Sequence, residues 1–266
     1  MTTGKSTNRY AAIIEKMFFS KYAAGDREVA FKREDLVEAA QSLDVALPKN
    51  LGDVLYSIRY RTQLPQSILD TQPEGMEWII EGRGRAVYCF CLVPENRIVP
   101  NQQLASIKVP DATPEIVASY ALSDEQALLA KVRYNRLLDI FLGVATYSLQ
   151  NHLRTTVSGI GQVEIDEVYV GINRDGAQFV LPVQAKGGSD QLSVVQAKQD
   201  IACCKEKFPD LICRAISAQF VSADLIALFE LVLAKDQTVK IAEEKHYHLV
   251  PADQISAAEL QSYARS

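Results

Sequence analysis

The spacing of hydrophobic and polar positions predicts three short helices and a hairpin at the start of the chain. Residues 9–22 carry Ile13, Met17 and Phe18 at helical spacing. Ala23-Ala24-Gly25-Asp26 stops that helix, and Val29-Ala30-Phe31 reads as a short extended piece. Lys32-Arg33-Glu34-Asp35 opens a second helix over 33–43, with acids in its first turn. Residues 44–49 form a turn. A third helix runs from Asn50 through Leu51, Val54, Leu55 and Ile58. Residues 75–93 then read as two strands around the basic tip Glu81-Gly82-Arg83-Gly84-Arg85.

Pro94, Pro100, Pro110 and Pro114 mark 95–122 as a connecting segment with short strands such as 106–109. Ser123-Asp124-Glu125-Gln126 fits a capping box. The pattern of Leu128, Leu129, Val132, Leu137 and Leu138 predicts helix from there to about Arg154, with a break near Gly143. Its polar face would carry Arg133, Asn135, Arg136, His152 and Arg154, which either reach DNA phosphates or pair with surface acids. Two strands, about 162–172 and 177–186, flank Asn173-Arg174-Asp175-Gly176, and Asp175-Gly176 is a strong hairpin signal. A helix over 191–202, a strand over 211–221, an ambiguous segment over 223–233 and a strand over 240–250 follow.

Composition narrows the class. The 266 residues are 48% hydrophobic and 23% charged, enough apolar mass for real cores and a prior of about two domains. The net charge of −5 excludes a histone-like basic coat but not a DNA enzyme, whose relevant field is local. The polar start reads as no signal peptide, and no apolar run is long enough for a membrane helix. Five cysteines, an odd number in a long chain, fit a reduced cytoplasmic protein. Cys89-Phe90-Cys91 offers half a zinc site, but the alternation from Val87 to Val93 reads as a strand. No other Cys/His pair has metal spacing, so these are read as buried strand cysteines. Three histidines, none beside an obvious acid or nucleophile, argue against histidine-driven hydrolysis. There is no Gly-x-x-x-x-Gly-Lys-Ser/Thr phosphate loop.

The chemistry-bearing stretch is 160–200. Strand alternation puts Glu164 and Asp166 on one face, with Glu167 on the other. Gln184 and Lys186 share a face of the second strand, so folding the hairpin brings Asp166, Gln184 and Lys186 together. Hydrolysing a phosphodiester adds charge to an anionic phosphate. A hard divalent cation held by oxygen ligands neutralises that charge and activates water, and a nearby lysine orients the water. The arrangement resembles the PD-(D/E)XK nuclease superfamily, to which many restriction endonucleases belong, over about 150–235. The resemblance implies an α/β, restriction-endonuclease-like mixed sheet flanked by helices. It gives catalytic roles to Asp166, Gln184 and Lys186. Metal ligation, of Mg2+ or Mn2+, falls to Asp166, Gln184, the Ala185 carbonyl and Glu164. Gln184 departs from the pattern, standing where an acid is usual, and Glu164 is the compensating charge. The polar residues Gln196, Gln199 and Asp200 of the next helix line the same site.

The order of elements over 9–94 resembles a winged helix-turn-helix domain, an α+β unit. That gives a DNA-binding domain 1–94, a linker 95–122 and a nuclease-like domain 123–266. Lys49, Tyr56, Arg59 and Arg61 on or beside the third helix, and Arg83 and Arg85 at the hairpin tip, are the candidate contacts to double-stranded DNA. The expected activity is a type II restriction-type endonuclease, and the resemblance also admits a homodimer. The competing readings are a non-catalytic DNA-binding protein with a degenerate nuclease domain, and an assembly module without DNA contact.

Overall fold

The computed structural model describes residues 5–47, 51–60, 63–94, 97–120, 125–188 and 190–264. The side chains of 5–9, 52, 53, 56, 57 and 60 lie outside that description. The chain divides into two compact units, Met1–Asn96 with Thr156–Gln162, and Arg97–Thr155 with Val163–Ser266.

The first unit contains α1 (Lys5–Phe19), β1 (Glu28–Lys32), α2 (Arg33–Ser42), α3 (Leu51–Tyr60), α4 (Gln66–Leu69), β2 (Glu77–Gly82) and β3 (Val87–Val93). Its three strands pair antiparallel in the order β1-β3-β2. Alternation sends Val29, Phe31, Trp78, Ile80 and Phe90 to one face, where they bury against Ile13, Met17, Phe18 and Leu36 of the helices. Phe18 meets Phe90 and Trp78 edge-on at centroid distances of 5.0 and 5.4 Å. Full burial of each such side chain contributes roughly 1.5–3 kcal/mol. Gly82 is required by its neighbour: a Cβ there would meet the Ile160 carbonyl oxygen at 2.5 Å.

The second unit contains β4 (Arg97–Ile98), β5 (Ser106–Pro110), α5 (Glu115–Tyr120), α6 (Glu125–Tyr134), α7 (Leu137–Leu142), β6 (Ala145–Val157), β7 (Gly161–Ile172), β8 (Gln178–Lys186), β9 (Leu192–Ser193), α8 (Val194–Lys207), β10 (Ile212–Cys213), β11 (Ala215–Phe220), β12 (Leu225–Leu233), β13 (Val239–Val250) and α9 (Ala257–Tyr263), except that the end of β6 and the start of β7, within 156–162, belong to the first. Among the described residues, eight strands form one mixed sheet in the order β5-β13-β12-β11-β8-β7-β6, with β10 also on β8. β8 pairs antiparallel with β7 but parallel with β11, the helix α8 making the crossover. One face of the sheet buries Leu181, Val183, Ala185, Ile216 and Ala218 against Leu128, Leu129, Val132, Leu138 and Phe141 of α6 and α7. The other face lies under α8, whose Asp200 reaches Gln184. The protein is therefore a mixed α/β chain with a large mixed sheet flanked by helices.

One expectation changes and two become definite. The helix read through to about Arg154 ends at Leu142, and 145–157 is the strand β6. Gly143 adopts φ 64° and closes α7, and the Asp139 carboxylate then accepts the Thr146 N–H at 2.8 Å, turning the chain into the sheet. Within the earlier part, Arg136 at φ 53° separates α6 from α7. Within the segment read as a linker, the short strand expected at 106–109 is β5, which pairs parallel with β13 from Ser106↔His246 to Pro110↔Val250. The ambiguous segment 223–233 is the strand β12, buried at Ile226, Ala227, Leu228 and Phe229. The capping box proposed at Ser123 falls partly on residues outside those described.

Candidate functional site

The β7–β8 register runs from Ile172↔Gln178 to Glu167↔Val183. It carries Asp166 to the end of β8, where its Oδ2 accepts the Ala185 N–H at 2.8 Å. Gln184 and Lys186 flank Ala185 on the Asp166 face. Parallel pairing with β11 sets Ser217 opposite Gln184 and Gln219 opposite Lys186, so a polar row crosses the sheet beneath α8. Gln219 donates from Nε2 to the Ile98 carbonyl at 3.0 Å and to Ser217 Oγ at 3.3 Å. Ser193 caps α8, accepting from the Val195 N–H while Gln196 reaches back to the Ser193 N–H. That anchored start fixes the helix so that Asp200, only 2% exposed, accepts from Gln184 Nε2 at 3.2 Å.

Burial dominates the electrostatics. It pushes the Asp166 carboxyl above the usual carboxylate range, against the opposing pull of the Ala185 N–H and the Lys186 charge. It pushes Asp200 much higher, aided by the negative charge of Asp166, with the Gln184 amide and, more weakly, the Lys186 charge acting the other way. Lys186 Nζ stands 3.4 Å from Glu125 Oε1, its side chain 12% exposed. His152, in left-handed backbone at φ 49°, is near enough to Asp166 for its charge to be felt.

The structure brings together Asp166, Gln184, Ala185 and Lys186. It gives Glu164 a different engagement: the carboxylate pairs with Arg154 at 2.9 Å, and the backbone carbonyl accepts Gln184 Nε2 at 2.8 Å. Asp200, read in the sequence only as one of several polar helix residues, is the second buried carboxyl of the site. Ser217 and Gln219 were missed, although their alternation with Ile216 and Ala218 on one strand is visible in the sequence. Glu125 is close to the site only through the fold.

The donor set consists of oxygens: the Asp166 and Asp200 carboxyls, the Gln184 amide oxygen and the Ala185 carbonyl. Such a set fits Mg2+ or Mn2+. Its two acids are near enough for the charge of Asp166 to be felt at Asp200. Among the described residues, the trio of acid, Cys or His donors that all lie within 4.8 Å of one another is Glu28, Cys89 and Cys91, in the first unit.

The cationic residues proposed for DNA are mostly engaged. Arg59 donates from Nε to the Ile80 carbonyl at 3.0 Å. Arg83 pairs with Glu28 at 3.0 Å and with Glu81 at 3.4 Å. Arg85 is exposed at the tip of the hairpin. Lys49 and Arg61 lie outside the described residues, as does the side chain of Tyr56. On the helical face of the large sheet, Arg133 donates from Nη2 to the fully buried Glu167 at 2.6 Å, Arg136 pairs with Asp139, and Asn135 is buried against Asp111 and Thr113. Comparison with protein families, with curated proteins and with solved structures finds no match. Among the described residues, no helix is long and apolar enough to cross a membrane.

Proposed function

We propose that this protein is a Mg2+- or Mn2+-dependent endonuclease of the PD-(D/E)XK type acting on double-stranded DNA. The observation that carries the reading is the convergence of Asp166, Gln184 and Lys186 on one face of the β7–β8 pair, with Asp200 delivered from α8. The succession of helices, β6, β7, β8, α8 and a parallel β11 supports it. So does the preceding unit, whose helices and β1-β3-β2 sheet suit a winged helix-turn-helix domain that grips duplex DNA.

A divalent cation held here would supply charge neutralisation at the scissile phosphate and a more acidic water. Asp166 would be the anionic ligand, held in place by the Ala185 N–H. Gln184 contributes its amide oxygen while its Nε2 holds Asp200 and the Glu164 carbonyl. Lys186 orients the attacking water by N–H donation and stabilises the charge that builds on the phosphate. Glu125 keeps the ammonium at the strand end.

The engaged Gln184 amide also favours a second reading, a DNA-binding protein with a silent nuclease domain. Here the amide serves to hold a buried acid in place rather than to bind metal. Incubating the full chain with plasmid and linear duplex DNA in Mg2+ or Mn2+ separates the two. Cleavage by the parent, lost in Asp166→Ala and Lys186→Ala, is expected. Gln184→Glu should tighten metal binding and preserve or raise activity. A silent parent that gains cleavage through Gln184→Glu would establish the second reading. A parent that cuts as well as both alanine variants would overturn the site, and inactivity of parent and Gln184→Glu with every metal would overturn the enzyme.

A further inference from the structure

The core-packing face of the three-stranded sheet is apolar, but its other face is not. Cys89 and Cys91, two apart on the central strand β3, point to that face together. The register places Glu28 of β1 opposite Cys91, and Glu81 of β2 opposite Cys89. Four donors, two sulfurs and two carboxylates, therefore converge from three strands. The Sγ atoms of both cysteines and a carboxylate oxygen of Glu28 all lie within 4.8 Å of one another, and Cys91 Sγ is 3.9 Å from Glu81 Oε2.

A cationic group already stands among these donors. Arg83 Nη2 is 3.0 Å from Glu28 Oε1, 3.4 Å from Glu81 Oε2 and 3.4 Å from Cys91 Sγ. It arrives from the hairpin tip, and its side chain is 47% exposed, so it can withdraw to solvent without disturbing the core. Gly84, at φ 131°, gives the tip a backbone conformation that a side chain would resist.

We infer that this face binds a thiophilic divalent cation of the Zn2+ type, ligated by Cys89, Cys91 and Glu28 with Glu81 as fourth ligand, in the place the Arg83 guanidinium now fills. An S2O2 set matches the borderline softness and four-coordinate habit of zinc. Zinc–ligand bonds of about 2.0–2.3 Å set donor separations of about 3.3–3.8 Å, so shifts on the order of 1 Å bring Cys89, Cys91 and Glu28 into place, and Glu81 completes the set by a larger side-chain movement. The thiols are buried, but Glu28, with a side chain 63% exposed, leaves an entry path. Hard cations at Asp166 and soft cations here are thus separate demands on the same chain.

The test uses the full-length chain, reduced, stripped with chelator and titrated with Co2+ as the probe. A thiolate-to-Co2+ charge-transfer band saturating at one equivalent, and bleached by Zn2+, is expected; binding at oxygen ligands elsewhere gives no such band. Cys89→Ser and Cys91→Ser should each remove it, while Cys213→Ser, in the second unit, should keep it. Glu28→Gln, an exposed change that leaves the core intact, should weaken Co2+ binding by about tenfold or more. Arg83→Gln should tighten it by removing the competing cation. The inference is overturned by absence of the band in the parent, by its survival in both β3 variants, by its loss in Cys213→Ser, or by unchanged or weaker binding in Arg83→Gln.

Discussion

Two sheet faces of this protein gather acids around one cationic side chain, and they do so in opposite environments. On the three-stranded sheet, Glu28 and Arg83 meet at the solvent edge above buried thiols. On the large sheet, Asp166 of β7 and Asp200 of α8 are buried between sheet and helix, and Lys186 stands at a strand end, paired with Glu125 and near enough to lower both carboxyls. The first face offers soft sulfur with exposed carboxylate. The second offers oxygen alone, in surroundings that resist ionisation. Donor softness and burial together determine which cation each face suits.

The largest expected effect tests the separateness of the two faces. On the proposed endonuclease reading, Asp166→Ala should lower DNA cleavage by about a hundredfold or more, because loss of a metal ligand removes several kcal/mol of transition-state stabilisation. Cys91→Ser should leave cleavage unchanged. Equal loss in both variants, measured as initial rates on plasmid DNA, would make the two faces one functional unit and break the comparison.

Ion-pair burial should give the next effect. Glu167 is fully buried and receives Arg133 together with the Ser148 hydroxyl, which donates at 2.6 Å. Arg133→Ala leaves that carboxylate short of its charged partner. The Arg133 side chain is 40% exposed, so the loss should be at the low end for a broken buried pair, about 2–3 kcal/mol. Arg83→Gln removes an exposed pair and should cost within about 1 kcal/mol. Urea denaturation of both variants checks the ordering, and a larger loss in Arg83→Gln would reverse it.

Gly82→Ala should destabilise the first unit by roughly 1–3 kcal/mol, since its Cβ would meet the Ile160 carbonyl at 2.5 Å. Hydrogen exchange of β2 and β3 amides reads this directly, and unchanged protection would show that the 156–162 turn gives way instead.

The smallest effect is a pH effect on α9. Glu259, hydrogen-bonded by Lys108 and by Ser256, titrates at about 2 rather than 4.5. A depressed carboxyl supports the fold above its unfolded value and loses that support as pH falls from about 4.5 through about 2. Protection of the α9 amides should fall over that window, and Glu259→Gln should abolish the pH dependence.

Local chemistry in the sequence was enough to determine much of this. Asp175-Gly176 specified the β7–β8 hairpin, with Gly176 at φ 83°. Strict alternation then put Asp166, Gln184 and Lys186 on one face, because a strand's side-chain period is two and a tight turn fixes register. The basic tip at 81–85 and the helices α2 and α8 were legible for the same reason: caps and turns act over a few residues.

What only the tertiary structure decided depends on partners distant in the chain. The helical reading of 145–154 failed because Leu137, Leu138 and Phe141 set a helical period that Gly143 ends, and β7 then recruits the following residues as its neighbour. β5 joined the sheet because β13, far along the chain, offered an open edge. Asp200 became the second acid of the site, and Glu28 the third donor beside Cys89 and Cys91, through crossover and strand register. Periodicity fixes which face a residue takes, but only the pairing of strands and the packing of a helix across them decides what it faces.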